Sequence, residues 1–138
     1  MFSTGRKGDI GVHKSIAILL ELGLDVFLPV SNSKPYDILV GDKKNFYKVQ
    51  VKYRKIRKDG TLAVEFAIKC SHTKRGTLRR AMTSEDVDIF CIYCPDTDKC
   101  YFVESANRKS IMLRIIDSVN NKKCNINYAK DFEKWPYS

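Results

Sequence analysis

The chain has 138 residues and carries 25 Lys and Arg against 16 Asp and Glu, a formal net charge of +9. That length fits one domain around one hydrophobic core. The longest apolar stretch, Ile16 to Leu20 followed at once by Glu21, falls far short of the roughly 18–20 residues that span a bilayer, which excludes a membrane-spanning helix. The excess of positive charge argues for a polyanionic partner, nucleic acid before any other. The N-terminal MFSTGRKGD has neither the apolar segment nor the small-residue cleavage site of a secretory signal, so an intracellular, cytoplasmic protein is expected, with no membrane partner.

In chain order, Gly8 to Leu22 reads as a helix. Apolar residues recur there at helical spacing, Asp9 suits the first turn and Gly23 suits the stop. Asp25 to Val30 reads as a short strand, placed near an edge or a bend by Pro29. Ser31 to Pro35 is turn chemistry. Tyr36 to Val40 is a strand of the buried type, Gly41 to Asn45 a hairpin turn and Phe46 to Lys52 the returning strand. After the polar segment Arg54 to Thr61, a strand is expected over Leu62 to Ile68 and a short helix over Thr77 to Met82. Val87 to Tyr93 and Lys99 to Val103 form a second hairpin around Pro95-Asp96-Thr97-Asp98, and a further short helix is expected near Ile111 to Ile115. This order predicts an α/β domain with a mixed central sheet flanked by helices.

The five cysteines are Cys70, Cys91, Cys94, Cys100 and Cys124. An odd number without a secretory signal argues against a disulfide framework. Cys91 and Cys94 form a C-x-x-C, but inside a strand and with no second pair following. Buried free thiols are therefore expected rather than zinc.

The chemistry concentrates in Pro35-Tyr36-Asp37 and Gln50-Val51-Lys52. Strand alternation puts Gln50 and Lys52 on one face, and the hairpin folds that face back beside Asp37. Phosphodiester hydrolysis needs a hard cation held by few protein ligands and a cationic side chain near the attacking water or the developing charge. Asp37, the Gln50 amide oxygen and the Val51 carbonyl are candidate ligands for Mg²⁺, with Mn²⁺ as a substitute, and Lys52 is the candidate cationic group.

P-Y-D followed by Q-V-K on the next strand resembles the signature of the PD-(D/E)XK nuclease superfamily. GDIGVHKSIAILLELGLDVFLPV, VQVKYR, DVDIFCIY, CYFVE, MLRI and NYAKDFE resemble, in order, segments of the branch that contains group I intron-encoded homing endonucleases. The resemblance covers nearly the whole chain. It implies one restriction-endonuclease-like domain over residues 1–138, with Asp37, Gln50 and Lys52 as catalytic residues and Mg²⁺ as cofactor. Two positions depart from the superfamily pattern. The acidic position is Gln50, whose neutral amide should weaken metal binding when no phosphate is present, although some members of the branch carry Gln there. The helix position that in many superfamily nucleases offers a Glu matches Val12. Asp9, one turn earlier, is the alternative carboxylate, or else simply a charge favoured at a helix N-terminus.

Arg54, Lys55, Arg57 and Lys58 follow the Q-V-K strand, and Lys69, Lys74, Arg75, Arg79 and Arg80 make a second basic block. Both suit contacts with DNA phosphates, and the segment Cys70 to Thr77 is placed to enter a groove through Lys74 or Arg75. The expected partner is double-stranded DNA. Cutting both strands implies a homodimer or homotetramer. The tail aromatics Tyr128, Phe132, Trp135 and Tyr137 are suited either to such a contact or to covering the chain's own core. A site-specific, homing-type DNA endonuclease is the leading expectation. A structure-selective nuclease of the Holliday-junction resolvase kind and an inactive DNA-binding module of the same fold are the alternatives.

Overall fold

A computed structural model describes residues 1–73, 76–81, 85–117 and 126–138, and of residues 67–73 and 76–81 the backbone alone. Helix α1 runs Thr4–Glu21. The strands are β1 Asp25–Phe27, β2 Ile38–Gly41, β3 Phe46–Tyr53, β4 Thr61–Glu65, β5 Ala67–Thr73, β6 Gly76–Ala81, β7 Ile89–Cys94, β8 Lys99–Glu104, β9 Ser110–Arg114 and β10 Asn127–Tyr128. A 3₁₀ helix, Ala129–Phe132, closes the order.

The central sheet has five strands in the order β1-β2-β3-β7-β8. Its β3–β7 pair is parallel and the rest are antiparallel, so the sheet is mixed as expected. Helix α1 covers one face. Val49 and Val51 of β3 lie there with Ile89 and Cys91 of β7 and Leu19 of the helix. The other face carries Phe90, Ile92 and Cys94 of β7 and packs on a second sheet, β10-β9-β4, through Leu62, Val64 and Leu113. Period-two alternation in β3 and β7 thus supplies both cores. It also sends Cys91 and Cys94 to opposite faces. Their three-residue spacing therefore cannot chelate one metal, and both thiols are buried and free.

Helix α1 begins four residues before the expected Gly8. Ser3 caps it by accepting from the Arg6 N–H at 3.2 Å, and Asp9 consequently stands in the second turn, not the first. The stop is where Gly23 predicted it. Gly23 has φ +83°, its N–H donates to Leu20 O and the Leu24 N–H donates to Leu19 O, the paired bonds of a Schellman end.

Three other expectations are corrected. The strand expected over Leu62 to Ile68 is two strands, β4 and β5, in different sheets. They break at Phe66, which stacks on Phe90 at 3.9 Å and donates its N–H to Lys109 O. In place of the helix expected over Thr77 to Met82, Thr77 to Ala81 belong to strand β6, paired antiparallel with β5, and Met82 lies outside the described residues. Thr77 to Arg80 lacks a strong apolar period, so pairing with a neighbouring strand decides its state. The helix expected near Ile111 to Ile115 is strand β9. Ile111 and Leu113 are buried and Met112 is exposed, an alternation that serves the pairing with β4. Strand β1 ends at Phe27, short of Pro29. The tail covers its own core: Trp135 is buried, edge-on to Tyr47 and Phe102, and Tyr137 stacks on Tyr47.

Candidate active site

The β2–β3 hairpin pairs Ile38 with Val49, and the same register carried one residue outward sets Asp37 opposite Gln50. The Asp37 N–H donates to Val49 O at 2.9 Å. Its carboxylate turns onto β3, where Oδ2 accepts the Val51 N–H at 2.8 Å. Alternation sets Asp37, Gln50 and Lys52 on the face opposite Ile38, Val49 and Val51. Gln50 and Lys52 stand past the paired part of β2, which ends opposite Val49, along the edge of β3 that the first turns of α1 also border. The Val51 carbonyl turns to the same side as its N–H, towards Asp37. The structure therefore brings together the aspartate, the amide, the lysine and one backbone carbonyl.

Burial holds the Asp37 carboxyl above its ordinary range, and the Val51 N–H and the Lys52 ammonium only partly oppose it. Gln50 is fixed by its amide nitrogen, which donates to Pro35 O at 2.8 Å. That bond aims Oε1 elsewhere, and Oε1 is buried with no hydrogen-bond partner. An orphaned buried carbonyl is costly unless something electropositive meets it. A partly desolvated carboxylate beside such an oxygen fits a hard, oxygen-liking cation. The other arrangement a metal site could take, three or more His, Cys, Asp or Glu together, does not occur among the described residues.

The Pro35 bond is one that an amide makes and an ionised carboxylate does not. Gln50→Glu would set an acceptor against the Pro35 carbonyl. The metal-free variant is expected to lose about 1–3 kcal/mol of stability, seen as a lower urea midpoint. Mg²⁺ should raise the variant's midpoint more than that of the wild type. An unchanged midpoint without metal would mean that the donated bond contributes nothing.

Asp9 and Val12 take different places on α1. Val12 is half-buried in the core between helix and sheet. Asp9 is exposed, and its carbonyl lies 2.8 Å from His13 Nδ1. Arg54 continues from β3, with its N–H on Tyr93 O and its guanidinium Nη1 on Tyr53 O. Lys55, Arg57 and Lys58 are exposed on the following loop. Lys74 and Arg75 lie outside the described residues. Lys69, Arg79 and Arg80 are described as backbone only, Lys69 facing Arg79 across the β5–β6 pair. Beside Lys52 a cleft of about 470 Å³ opens between β3 and the first turns of α1, and it brings in Thr4, Lys7 and Gly8. These three residues were not singled out in sequence. The available signal was the run Gly5-Arg6-Lys7-Gly8, whose glycines read as chain still outside the helix.

A helix-backed mixed sheet that presents an aspartate opposite a Gln-x-Lys strand has the architecture of the PD-(D/E)XK nucleases. The chain belongs to the PD-(D/E)XK endonuclease family, whose model matches residues 2–135, and it is a DNA endonuclease. Nucleases of this family use divalent metal ions. The fold is similar to that of a bacterial homing endonuclease, I-Ssp6803I, with a TM-score of 0.74 and 21% identity over 95% of this chain and 88% of that one. Hjc of Archaeoglobus fulgidus, a Holliday junction resolvase from an archaeal hyperthermophile, matches with a TM-score of 0.40 and 13% identity over 72% of this chain and 84% of that one. No match is found among curated protein sequences. No helix among the described residues is long and apolar enough to cross a membrane.

Proposed function

We propose that the chain is an Mg²⁺-dependent, site-specific endonuclease of double-stranded DNA, serving a homing or other mobile element from inside the cell. The observation that carries this reading is the orphaned Gln50 Oε1, held beside the desolvated Asp37 carboxylate on the strand that bears Lys52. Asp37, Gln50 Oε1 and the Val51 carbonyl would hold the cation, with Asp9 as a further carboxylate from the helix. A hard divalent cation bound there supplies polarisation of the phosphoryl oxygen and a bound water of lowered pKa.

The chain's own groups do the rest. Burial raises the Asp37 pKa, and the Val51 N–H and Lys52, which favour the ionised form, offset part of that rise. Lys52 orients the attacking water and offsets charge gathering on the phosphate. Arg54, Lys55, Arg57 and Lys58, with Lys74, Arg75, Arg79 and Arg80 of the second basic block, hold the duplex through its phosphates. Residues 1–138 act as one domain. Since cleavage of both strands needs two such sites, a homodimer or homotetramer is the working form. The homing assignment draws on the likeness to a bacterial homing endonuclease.

The test is incubation with a randomised plasmid library, with and without Mg²⁺, followed by sequencing of the ends. Metal-dependent cuts at one recurrent sequence are expected. Tight, salt-sensitive DNA binding without cleavage, with the library's coverage verified, would leave an inactive DNA-binding module. Preferential cutting of four-way junctions over duplex would replace site specificity by structure selectivity.

A further inference from the structure

Among the cavities of the described surface are three of about 310, 380 and 470 Å³. Asp117 and Glu133 line the first, and Glu104 and Asp131 line the second. The third is the cleft beside Lys52. Its lining includes Lys7, Lys52, Arg54 and Lys55 and no acidic residue. Neither Lys7 nor Lys55 makes an ion pair with a described residue. Arg54 is held at the cleft by its bond to Tyr53 O at 2.9 Å. Such a concentration of positive charge in a concave site favours an anion.

The glycines of α1 supply an independent observation. Gly11 has a packing reason, since a Cβ there would lie 3.4 Å from both Tyr53 Cβ and Val51 Cγ1. Gly8 has none: a Cβ there would meet nothing within 4 Å. Glycine inside a helix costs stability relative to alanine. Gly8 therefore weakens α1 without easing any contact of the folded chain, and it does so where the helix lines the cleft. A missing side chain beside Lys7 in the cleft wall lets another backbone approach closely.

We propose that this cleft seats the DNA phosphate next to the scissile one, with Lys7, Arg54 and Lys55 as counter-charges and Gly8 as the opening through which the sugar–phosphate chain meets the helix. Successive phosphates of one strand advance about 3.4 Å along the duplex axis, so a phosphate at Lys52 carries its neighbour into the same cleft. The inference rests on the nuclease reading of Asp37, Gln50 and Lys52, and it gives Lys7 and Gly8 a positioning role.

The test compares Lys7→Gln, Gly8→Ala and Gly5→Ala with the wild type. Affinity for a pool of short random-sequence duplexes is measured in EDTA across a salt series, and thermal melting is measured beside it. Gly5 also has nothing within 4 Å of a built Cβ, and it does not line the cleft. Both alanine variants should melt about 2–5 °C higher. Gly8→Ala should nevertheless bind about five-fold more weakly, while Gly5→Ala binds like wild type. Lys7→Gln should weaken binding about five-fold and reduce the slope of log K against log salt by about 0.9. Wild-type affinity in both Lys7→Gln and Gly8→Ala, or an equal loss in Gly5→Ala, overturns the proposal while metal-dependent cleavage by wild type leaves the nuclease reading standing. A wild type that neither binds the pool nor cuts the plasmid library overturns both.

Discussion

Asp37→Asn is expected to lower Mg²⁺-dependent cleavage by about 10³-fold or more while the metal-free protein melts at the same temperature as wild type or higher. The asparagine oxygen can still accept the Val51 N–H, so the β2–β3 junction keeps its bond. What disappears is a negative charge that the fold does not welcome. Burial raises the Asp37 pKa in the folded chain, so the folded state binds this proton more tightly than the unfolded state does. The stability linked to that proton is full below the unfolded carboxylate value and is lost as pH rises through the raised folded value. At neutral pH the ionised carboxylate therefore costs stability, and the amide relieves the cost. The wild-type midpoint should fall across that window, the Asp37→Asn substitution should remove the fall, and Mg²⁺ should restore stability to wild type alone. Melting curves over a pH series, with and without Mg²⁺, would falsify the assignment if the amide variant lost stability at neutral pH or retained cleavage.

Lys52→Met should lower the single-turnover cleavage rate by about 10²–10⁴-fold at saturating DNA and weaken DNA affinity only a few-fold. The two effects should separate because the proposed contacts spread the affinity over many cationic side chains, each neutralising one phosphate, whereas the transition state gathers charge at one place. The methionine keeps the length of the lysine stem, so packing around β3 is preserved. Removing the ammonium also removes one of the two influences that hold the Asp37 pKa down. The acid limb of the pH–rate profile should consequently move to higher pH. Equal losses in rate and affinity would instead identify Lys52 as one phosphate contact among the others.

The centre of the site was legible because it depends on the shortest-range rules. A hairpin turn between two apolar runs sets Asp37 against Gln50, and a period of two sets Gln50 and Lys52 on one face. The positive φ at Gly23 was legible for the same reason, since a left-handed residue at a helix end is a local requirement. The start of α1 was not, because Gly5 and Gly8 argue against a helix locally while Ser3 caps one. Met112-Leu113-Arg114-Ile115 is an apolar run that fits a helix or a strand until β4 stands beside it. The break at Phe66 depends on a ring from β7, more than twenty residues distant in sequence. The cleft of Lys7, Gly8 and Lys52 is the clearest case. Its two walls are joined by the packing of α1 on β3, with Gly11 against Val51 and Tyr53, which no spacing in the sequence announces.

The β5–β6 pair stands apart in this respect, because its strands pair with each other and with neither larger sheet. The chain enters it directly after Phe66, whose ring is anchored on Phe90 in the core. Substitutions in β5 and β6 should therefore leave unaltered the ladder that carries Asp37, Gln50 and Lys52. If the pair contacts DNA as proposed, a lineage of such proteins can change the surface it offers to a duplex while the proposed cutting chemistry stays fixed, and diversity among relatives should gather in β5 and β6 and spare β2 and β3.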